Sequence, residues 1–201
     1  MASTTISPKD VSELRQRTGA GMMDCKRALE EAGGDMEKAG EILRKKGIAK
    51  AEKRAGRTAS QGIVVSYIHH NAQVGVLLEL NSETDFVARN EAFQHLARDI
   101  ALHIASADPI GVSAEDVPVE LIERERRIAE EQVAAEGKPE AVRAKIVEGK
   151  VKKFIAERTL LEQPYVRDDK KTVGDLVKEA SGKLGEVITV KRFARFQVGA
   201  A

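Results

Sequence analysis

The feature that most constrains the fold is a change of hydrophobic period on either side of residues 82–90. Before this segment, Val74–Leu80 is a nearly continuous apolar run, which favours a strand with a buried face. After it, apolar side chains recur at helical spacing, at Phe93, Leu96, Ile100 and Ile104. The chain is therefore expected to combine a sheet with helices, and residues 82–90 mark the point where it leaves the sheet.

The junction itself carries an apolar pair at a helix tip. Thr84 can accept a hydrogen bond from a first-turn amide as an N-cap, and Asp85 suits the positive end of a helix dipole. Phe86 and Val87 then fall in the first helical turn. From the residues alone, such a pair either closes over its own core, which is the commoner use, or contacts another protein.

Composition excludes several classes of protein. The 201 residues suffice for one ordinary domain, or for a small domain joined to a larger one. A net charge of +1 and an aromatic content of 3% argue against a nucleic-acid-binding surface. No apolar run approaches the ~20 residues of a membrane span, and Met1–Thr5 lacks a signal-peptide apolar region. Cys25 is the single cysteine, which excludes an internal disulfide and fits the cytoplasm.

Three short helices are predicted in the first fifty residues. Ser7 and Pro8 begin the first helix, Gly33–Gly34 end the second, and Gly47 is expected to end the third. The second helix carries an inner stripe that takes Met22 and leaves Met23 toward solvent; its further members are Cys25, Leu29 and Ala32. The basic stretch 49–60 that follows is interpreted as a solvated linker helix rather than a nucleic-acid arm.

The remainder predicts an α+β core. β-Branched runs at 63–68 and 74–80, with a third at 187–198, fit a three-stranded antiparallel sheet. Two amphipathic segments separated by Gly137-Lys138-Pro139 predict a helical hairpin over 113–158. A capping box that opens at Thr172 predicts a last helix before the third strand.

Candidate catalytic groups are few. His69 and His70 are adjacent, so on a strand they would point to opposite faces and would not share a metal. Helical spacing would align three polar groups in a stripe, which fits an ordinary polar face better than a catalytic one; they are Glu91, His95 and Asp99. Cys25 reads as a small core residue. The residues favour no covalent chemistry, no metal and no cofactor.

Three motifs carry a resemblance to a known family. Thr84–Val87 resembles the signature of elongation factor Ts, the bacterial guanine-nucleotide exchange factor for elongation factor Tu. Leu14–Lys26 resembles that family's N-terminal signature, and Arg192–Gly199 is similar to its last strand. The motifs bracket nearly the whole chain in the same order, so the chain is identified as a member of this family.

The resemblance implies a fold and a set of site residues. It implies a ubiquitin-associated-like three-helix module over 1–55 and a core, or dimerisation, domain over 56–201 with a protruding helical hairpin. Docking on the nucleotide-binding domain of elongation factor Tu would fall to Arg15, Met22 and Met23. The partner's Mg²⁺ would be displaced by the tip formed by Thr84, Asp85, Phe86 and Val87.

The resemblance also implies partners. The chain would bind elongation factor Tu with GDP and without nucleotide, and would not bind nucleic acid directly. Because it contains only one sheet-forming half, it resembles the short members of the family, which implies a symmetric homodimer. Three alternatives remain open: a nucleic-acid-binding protein using Lys50–Arg57 and Arg192–Arg195, an enzyme using Glu91, His95 and Asp99, and a purely structural helical adaptor.

Overall fold

The computed structural model describes residues 6–54, 56–137 and 139–200. Three features considered in the sequence lie outside these ranges: the N-terminal Met1–Thr5, Ala55 at the end of the expected module, and Lys138 in the expected hairpin break. The elements in chain order are α1 (Pro8–Thr18), α2 (Met22–Glu31), α3 (Met36–Glu52), β1 (Gln61–Ile68), β2 (Val74–Ser82), α4 (Asp85–Ala88), α5 (Glu91–Ala107), a 3₁₀ turn (Ala114–Asp116), α6 (Val119–Ala135), α7 (Glu140–Arg158), β3 (Pro164–Tyr165), β4 (Asp168–Thr172), α8 (Val173–Leu184) and β5 (Thr189–Gln197).

Internal contacts divide the chain into two compact units. The first unit contains the N-terminal helices, the segment around α4 and most of α8; it comprises Met1–Gly62, Asn81–Phe93 and Leu176–Thr189. The second contains most of the sheet and the helical hairpin; it comprises Ile63–Leu80, Gln94–Asp175 and Val190–Ala201. Among the described residues, no helix has both the length and the apolar character needed to cross a bilayer.

In the first unit, α1, α2 and α3 pack around a small core, as predicted. Ser7 begins α1 through a reciprocal capping box, in which its hydroxyl accepts from the Asp10 amide at 3.1 Å. Cys25 is fully buried, which confirms it as a core residue. The other buried members of this cluster are Val11, Leu14, Ala28, Leu29 and Ala39.

The predicted end of the third helix at Gly47 is wrong. Helix α3 continues to Glu52, so the expected linker helix from Ala49 begins as its last turn. Helix α3 instead lies close to α8 at this point because Gly182 of α8 has no side chain: a Cβ added at Gly182 would lie 2.6 Å from the Gly47 carbonyl oxygen. A glycine in a helix interior is accepted here for the space that it leaves.

The helical turn that begins after Thr84 is not continuous with the helical run that contains Phe93. The chain forms the single turn α4, breaks at Arg89–Asn90, and starts again as α5. The side chain of Asn90 accepts a hydrogen bond from the Ala92 amide at 2.9 Å, which caps the second start. Asparagine favours such a cap because its short amide competes with the helical backbone bonds.

In the second unit, β1, β2 and β5 form the predicted three-stranded antiparallel sheet in the order β1-β2-β5. The Gln73 carbonyl accepts from the Val198 amide at 2.9 Å, and Glu79 pairs with Arg192 at 2.7 Å, which together fix an antiparallel register for β2 and β5. Strand β2 alternates, with Val76, Leu78 and Leu80 buried and Leu77 exposed between them.

The expected helical hairpin is present as α6 and α7. Its two helices meet along a small buried cluster of Ala129, Val133, Val147 and Val151. The two-stranded ribbon β3-β4 was not predicted. Its second strand, Asp168–Thr172, is mostly charged and gives no alternation of apolar and polar residues from which a strand could be recognised.

Candidate functional site

The tip of α4 presents an aromatic ring to solvent. Phe86 is 82% exposed, so its ring does not close over the core of its own chain. Asp85 is partly exposed and pairs with Arg89 at 2.9 Å, one helical turn away. Val87 is partly buried and Ala88 is 5% exposed, so the inner side of the turn holds it against the protein. The four-residue tip therefore has a bare aromatic side and an anchored aliphatic side.

Thr84 caps this turn and is itself held by a distant carboxylate. Its hydroxyl oxygen accepts from the Val87 amide at 3.4 Å, as the sequence predicted for an N-cap. The same hydroxyl donates to one carboxylate oxygen of Glu186 at 2.6 Å. The Thr84 amide donates to the other oxygen of Glu186 at 3.0 Å.

A second carboxylate makes the reciprocal connection. Glu83 accepts from the Val187 amide at 2.7 Å, and its other oxygen lies 3.4 Å from Arg57. The Val187 hydrogen bond, together with the Arg57 guanidinium, lowers the pKa of the Glu83 carboxyl. We call the pair of connections, Glu83 to Val187 and Glu186 to Thr84, the carboxylate crossing. It ties the start of α4 to the end of α8 from both sides.

The candidate docking residues lie at one end of the N-terminal helices. Met23 is 62% exposed, as expected, and Arg15 is exposed on α1. The expectation that Met22 would join the inner stripe is wrong, because it is 48% exposed. Met22 is the first residue of α2, directly after the Gly21 cap, where no preceding turn of the helix lies beside it.

The exposed face of the sheet carries an apolar patch whose residues were not singled out from the sequence. We define the sheet-face patch as Val64, Ile68, Leu77 and Phe196, which are 68%, 64%, 49% and 68% exposed. At one end, Ile68 and Phe196 help to line a groove of about 330 Å³. The sequence contains a signal for this patch, because successive residues of a strand point to opposite faces of the sheet. Apolar residues at consecutive positions of β1 and β2 must therefore place some side chains on the exposed face.

The candidate catalytic groups lie on α5 and in the turn after β1. The rings of His69 and His70 lie 4.2 Å apart between centroids, contrary to the expectation of opposite faces, because both follow the end of β1 and belong to the turn. Asp99 pairs with Arg167 at 2.7 Å. Within the described ranges, no group of three or more His, Cys, Asp and Glu side chains is placed to hold a metal ion.

Two cations of each basic run form ion pairs within the protein. Lys50 lies 3.1 Å from Asp24, and Arg57 lies 3.4 Å from Glu83. In the last strand, Arg192 pairs with Glu79 at 2.7 Å and Arg195 lies 3.0 Å from Asp108. These ion pairs weaken the interpretation of either run as a phosphate-binding arm.

Two features near the tip were not recognised in the sequence. Glu83 and Glu186 were assigned no role, because they form bonds to residues about a hundred positions away and no local pattern reports such a pairing. Local signals located only the cap and the apolar pair.

Comparison with known proteins gives one consistent result. The protein family described as "Elongation factor TS" matches residues 4–200. The chain is 57% identical over 194 residues to "Elongation factor Ts" of Thermosipho melanesiensis, a match covering 96% of this chain and 99% of the relative. Proteins of the same name from Fervidobacterium nodosum and Carboxydothermus hydrogenoformans are 54% and 56% identical, each over 96% of this chain, and are covered over 98% and 89% of their own lengths.

Proposed function

This chain belongs to the elongation factor Ts family of translation factors, and from that premise we propose that it is a guanine-nucleotide exchange factor. It acts in the cytoplasm on elongation factor Tu, binding the GDP form and the nucleotide-free form. It promotes GDP release so that GTP can rebind. It transfers no bond or proton, requires no cofactor of its own and does not bind nucleic acid directly.

The observation that carries this proposal is the exposed aromatic ring at the tip of α4. Phe86 is 82% exposed on a turn that is held rigidly from its flanks. A large apolar side chain in that position loses contact with water only when another molecule covers it. The ring is therefore the group that inserts into the GTPase, between helices beside its magnesium site.

Displacement of the partner's Mg²⁺ explains how insertion releases the nucleotide. The cation bridges phosphate oxygens of the nucleotide to the GTPase and neutralises their charge. Moving the helices that carry its ligands weakens this bridge and loosens the phosphate loop, while Asp85 adds a negative charge nearby. Because coupling is reciprocal, rebinding of GTP weakens the contact with this chain and releases it.

Burial of the Phe86 ring does not supply enough free energy to account for the acceleration of GDP release. An acceleration of ~10⁴-fold in GDP release corresponds to about 5.5 kcal/mol of preference for the opened state. Burying one phenylalanine supplies roughly 1.5–3 kcal/mol. Additional contacts must hold the complex together, and we assign them to Arg15, Met22 and Met23 on the module over 1–55.

The proposed function is tested by measuring nucleotide release directly. Elongation factor Tu loaded with fluorescent GDP is mixed with the chain in a stopped-flow instrument, against an excess of unlabelled GDP. We expect release to accelerate by several orders of magnitude, and the acceleration to shrink when Mg²⁺ is raised from micromolar to tens of millimolar. Release at the intrinsic rate at every concentration of the chain contradicts the proposal.

The docking role predicts a separate effect for the two methionines. Replacing both Met22 and Met23 with alanine should raise the half-saturating concentration for exchange by roughly tenfold or more, because their exposed thioethers no longer fill the interface. The maximal rate at saturation should stay within about twofold, since the tip is untouched.

Val119→Ala is the matched control for the methionine variant. Val119 is 63% exposed on α6 and lies outside the proposed surfaces, so its truncation should change neither parameter. Point variants are preferable to deletion of the first fifty residues, because deletion would also remove the Gly47 side of the contact with α8. An unchanged half-saturating concentration in the double variant argues against docking through this end of the module.

We also propose that the chain forms a symmetric homodimer through its core. The sheet-face patch supports this arrangement, because Val64, Ile68, Leu77 and Phe196 present apolar side chains on one face of a three-stranded sheet. Two copies related by a twofold axis would bury the same patch on each other. Such face-to-face packing is the usual way in which a sheet with an apolar outer side is covered.

A charge placed in the patch should separate the copies. Phe196→Asp is expected to weaken dimerisation by at least about 100-fold, because an unpaired carboxylate would be buried among apolar side chains. Sedimentation velocity at micromolar concentration measures the result. The control Val119→Asp places the same charge on an exposed apolar position outside the patch and should remain dimeric. A monomeric wild-type protein under these conditions contradicts the homodimer.

A further inference from the structure

We propose that Glu186 is a positioning residue for nucleotide exchange, which holds the α4 tip in the orientation that presents Phe86. This inference rests on the proposed exchange function. Glu186 binds the tip at its N-terminal flank. It acts through Thr84, whose amide and hydroxyl both donate to its carboxylate, at 3.0 and 2.6 Å.

The two hydrogen bonds form a chelate around a single residue. One oxygen of Glu186 takes the Thr84 amide and the other takes the Thr84 hydroxyl. Only a carboxylate offers two acceptor oxygens on one rigid plane, and charge-assisted hydrogen bonds are shorter and stronger than neutral ones. The backbone and the side chain of Thr84 are therefore fixed together, which a single bond would not achieve.

The chelate also sets the direction of the helix cap. A hydroxyl carries one hydrogen, and in Thr84 that hydrogen is committed to Glu186. The lone pairs of the same oxygen are then directed to the Val87 amide at 3.4 Å, so the Thr84 hydroxyl acts toward α4 only as a hydrogen-bond acceptor. A helix of four residues makes few backbone bonds of its own, so its orientation depends on this cap.

Glu186 is placed by the end of α8. Gly185 adopts a left-handed conformation at φ +80°, which ends the helix and turns the chain, and the Ser181 hydroxyl donates to the Glu186 carbonyl. The same helix meets α3 at the close contact of Gly47 with Gly182. Helix α8 thus connects α3, which packs with the helices α1 and α2 that carry the docking residues, to the cap of the tip.

This connection gives Glu186 a role that differs from simple stabilisation. If α8 holds the tip in register with the docking helices, then loss of the chelate should leave docking intact and make insertion inefficient. The expected signature is a reduced maximal exchange rate with little change in the half-saturating concentration. A purely structural defect would instead lower the concentration of active protein, without affecting the maximal rate selectively.

Glu186→Gln tests the proposal. Glutamine keeps the shape but removes the negative charge and one of the two acceptor oxygens. We expect the maximal rate of fluorescent-GDP release to fall roughly tenfold, as for loss of a charge-assisted hydrogen bond, with the half-saturating concentration within threefold. Glu162→Gln, at an exposed position, is the charge-matched control and should behave as the wild type. An unchanged maximal rate in Glu186→Gln overturns the proposal, and so does a change confined to the half-saturating concentration.

A double-mutant cycle identifies the path through Thr84. Thr84→Val removes the hydroxyl while keeping the shape, so Glu186→Gln should have a smaller effect in that background than in the wild type. Thr84→Ser keeps both donors, and the full effect of Glu186→Gln should return. Strict additivity of Glu186→Gln and Thr84→Val means that Glu186 does not act through the Thr84 hydroxyl, which overturns the proposal.

Amide hydrogen exchange in the free chain separates this inference from the function on which it rests. Loss of the chelate should speed exchange of the Thr84 and Val87 amides by at least about tenfold, with amides of the N-terminal helices unchanged. This readout involves no GTPase. If the wild-type chain does not accelerate GDP release from elongation factor Tu, the proposed function is wrong, whatever the amide protection shows. If the protection of both amides is unchanged in Glu186→Gln, the positioning role is wrong, whatever the exchange assay shows.

Discussion

Replacing Phe86 with alanine is expected to slow GDP release from elongation factor Tu by roughly 100-fold at saturation. The basis is the apolar surface that the ring loses to water, since truncation of a buried phenylalanine costs about 3–5 kcal/mol. Part of that loss affects binding of the chain to elongation factor Tu rather than the maximal rate of GDP release. Fluorescent-GDP release in the stopped-flow instrument, measured over a range of concentrations of the chain, gives the rate and the half-saturating concentration separately.

The fold of this variant should be unaffected. Phe86 is 82% exposed, so its removal leaves no cavity in the chain, and the melting temperature should match that of the wild type. Val198→Ala is a suitable comparison, because Val198 is also strongly exposed, at 72%, but directly follows β5 in the second unit. A maximal release rate that is unchanged by Phe86→Ala would show that the ring is not the inserting group.

The second large effect concerns stability. Gly182→Ala should lower the free energy of unfolding by about 1–3 kcal/mol, because overpacking against backbone atoms forces the helices apart. The new Cβ would lie 2.6, 2.7 and 2.8 Å from the carbonyl oxygen, carbonyl carbon and Cα of Gly47, and none of these backbone atoms can rotate away. For a chain of this size, a loss of that amount lowers the melting temperature by roughly 2–4 °C per kcal/mol.

Replacing Gly40 with alanine should instead raise the free energy of unfolding. A Cβ at Gly40, inside α3, would meet nothing within 4 Å. Alanine there should stabilise the helix by about 0.5–1 kcal/mol, because it restricts the unfolded backbone and favours the helix. Calorimetric melting of both variants beside the wild type tests the pair. Equal shifts of the same sign would mean that helix propensity, and not the contact of α3 with α8, decides the outcome.

The sequence predicted well those features that depend on neighbouring residues. The capping box at Ser7 and Asp10 is present, and so is the one at Thr172 and Asp175, where the amides donate reciprocally at 3.0 and 3.1 Å. The N-cap role of Thr84 is confirmed for the same reason. Each of these pairs lies within one turn of the chain, so the pattern that specifies it is visible in a window of four residues.

The features that were missed depend on distant partners. Gly47 resembled a helix end, but it lies within α3, where its backbone meets Gly182 of another helix at close range. The exposure of Phe86 could not be derived from hydrophobic periodicity, since the same first-turn position fits a core residue or a surface residue. The carboxylate crossing joins positions 83–84 to 186–187, and no rule of local spacing links residues at that separation.

The anchoring of α4 has a consequence for how this protein can change. The turn is secured by its flanks, through Thr84 and Glu186 on one side and the buried Ala88 on the other, whereas the exposed ring of Phe86 contributes little to holding it. The exposed side chain of the tip is therefore distinct from the residues that hold the tip in place. Under the proposed function, a different side chain at position 86 would change the surface offered to the GTPase while leaving the supporting hydrogen bonds of Thr84 in place.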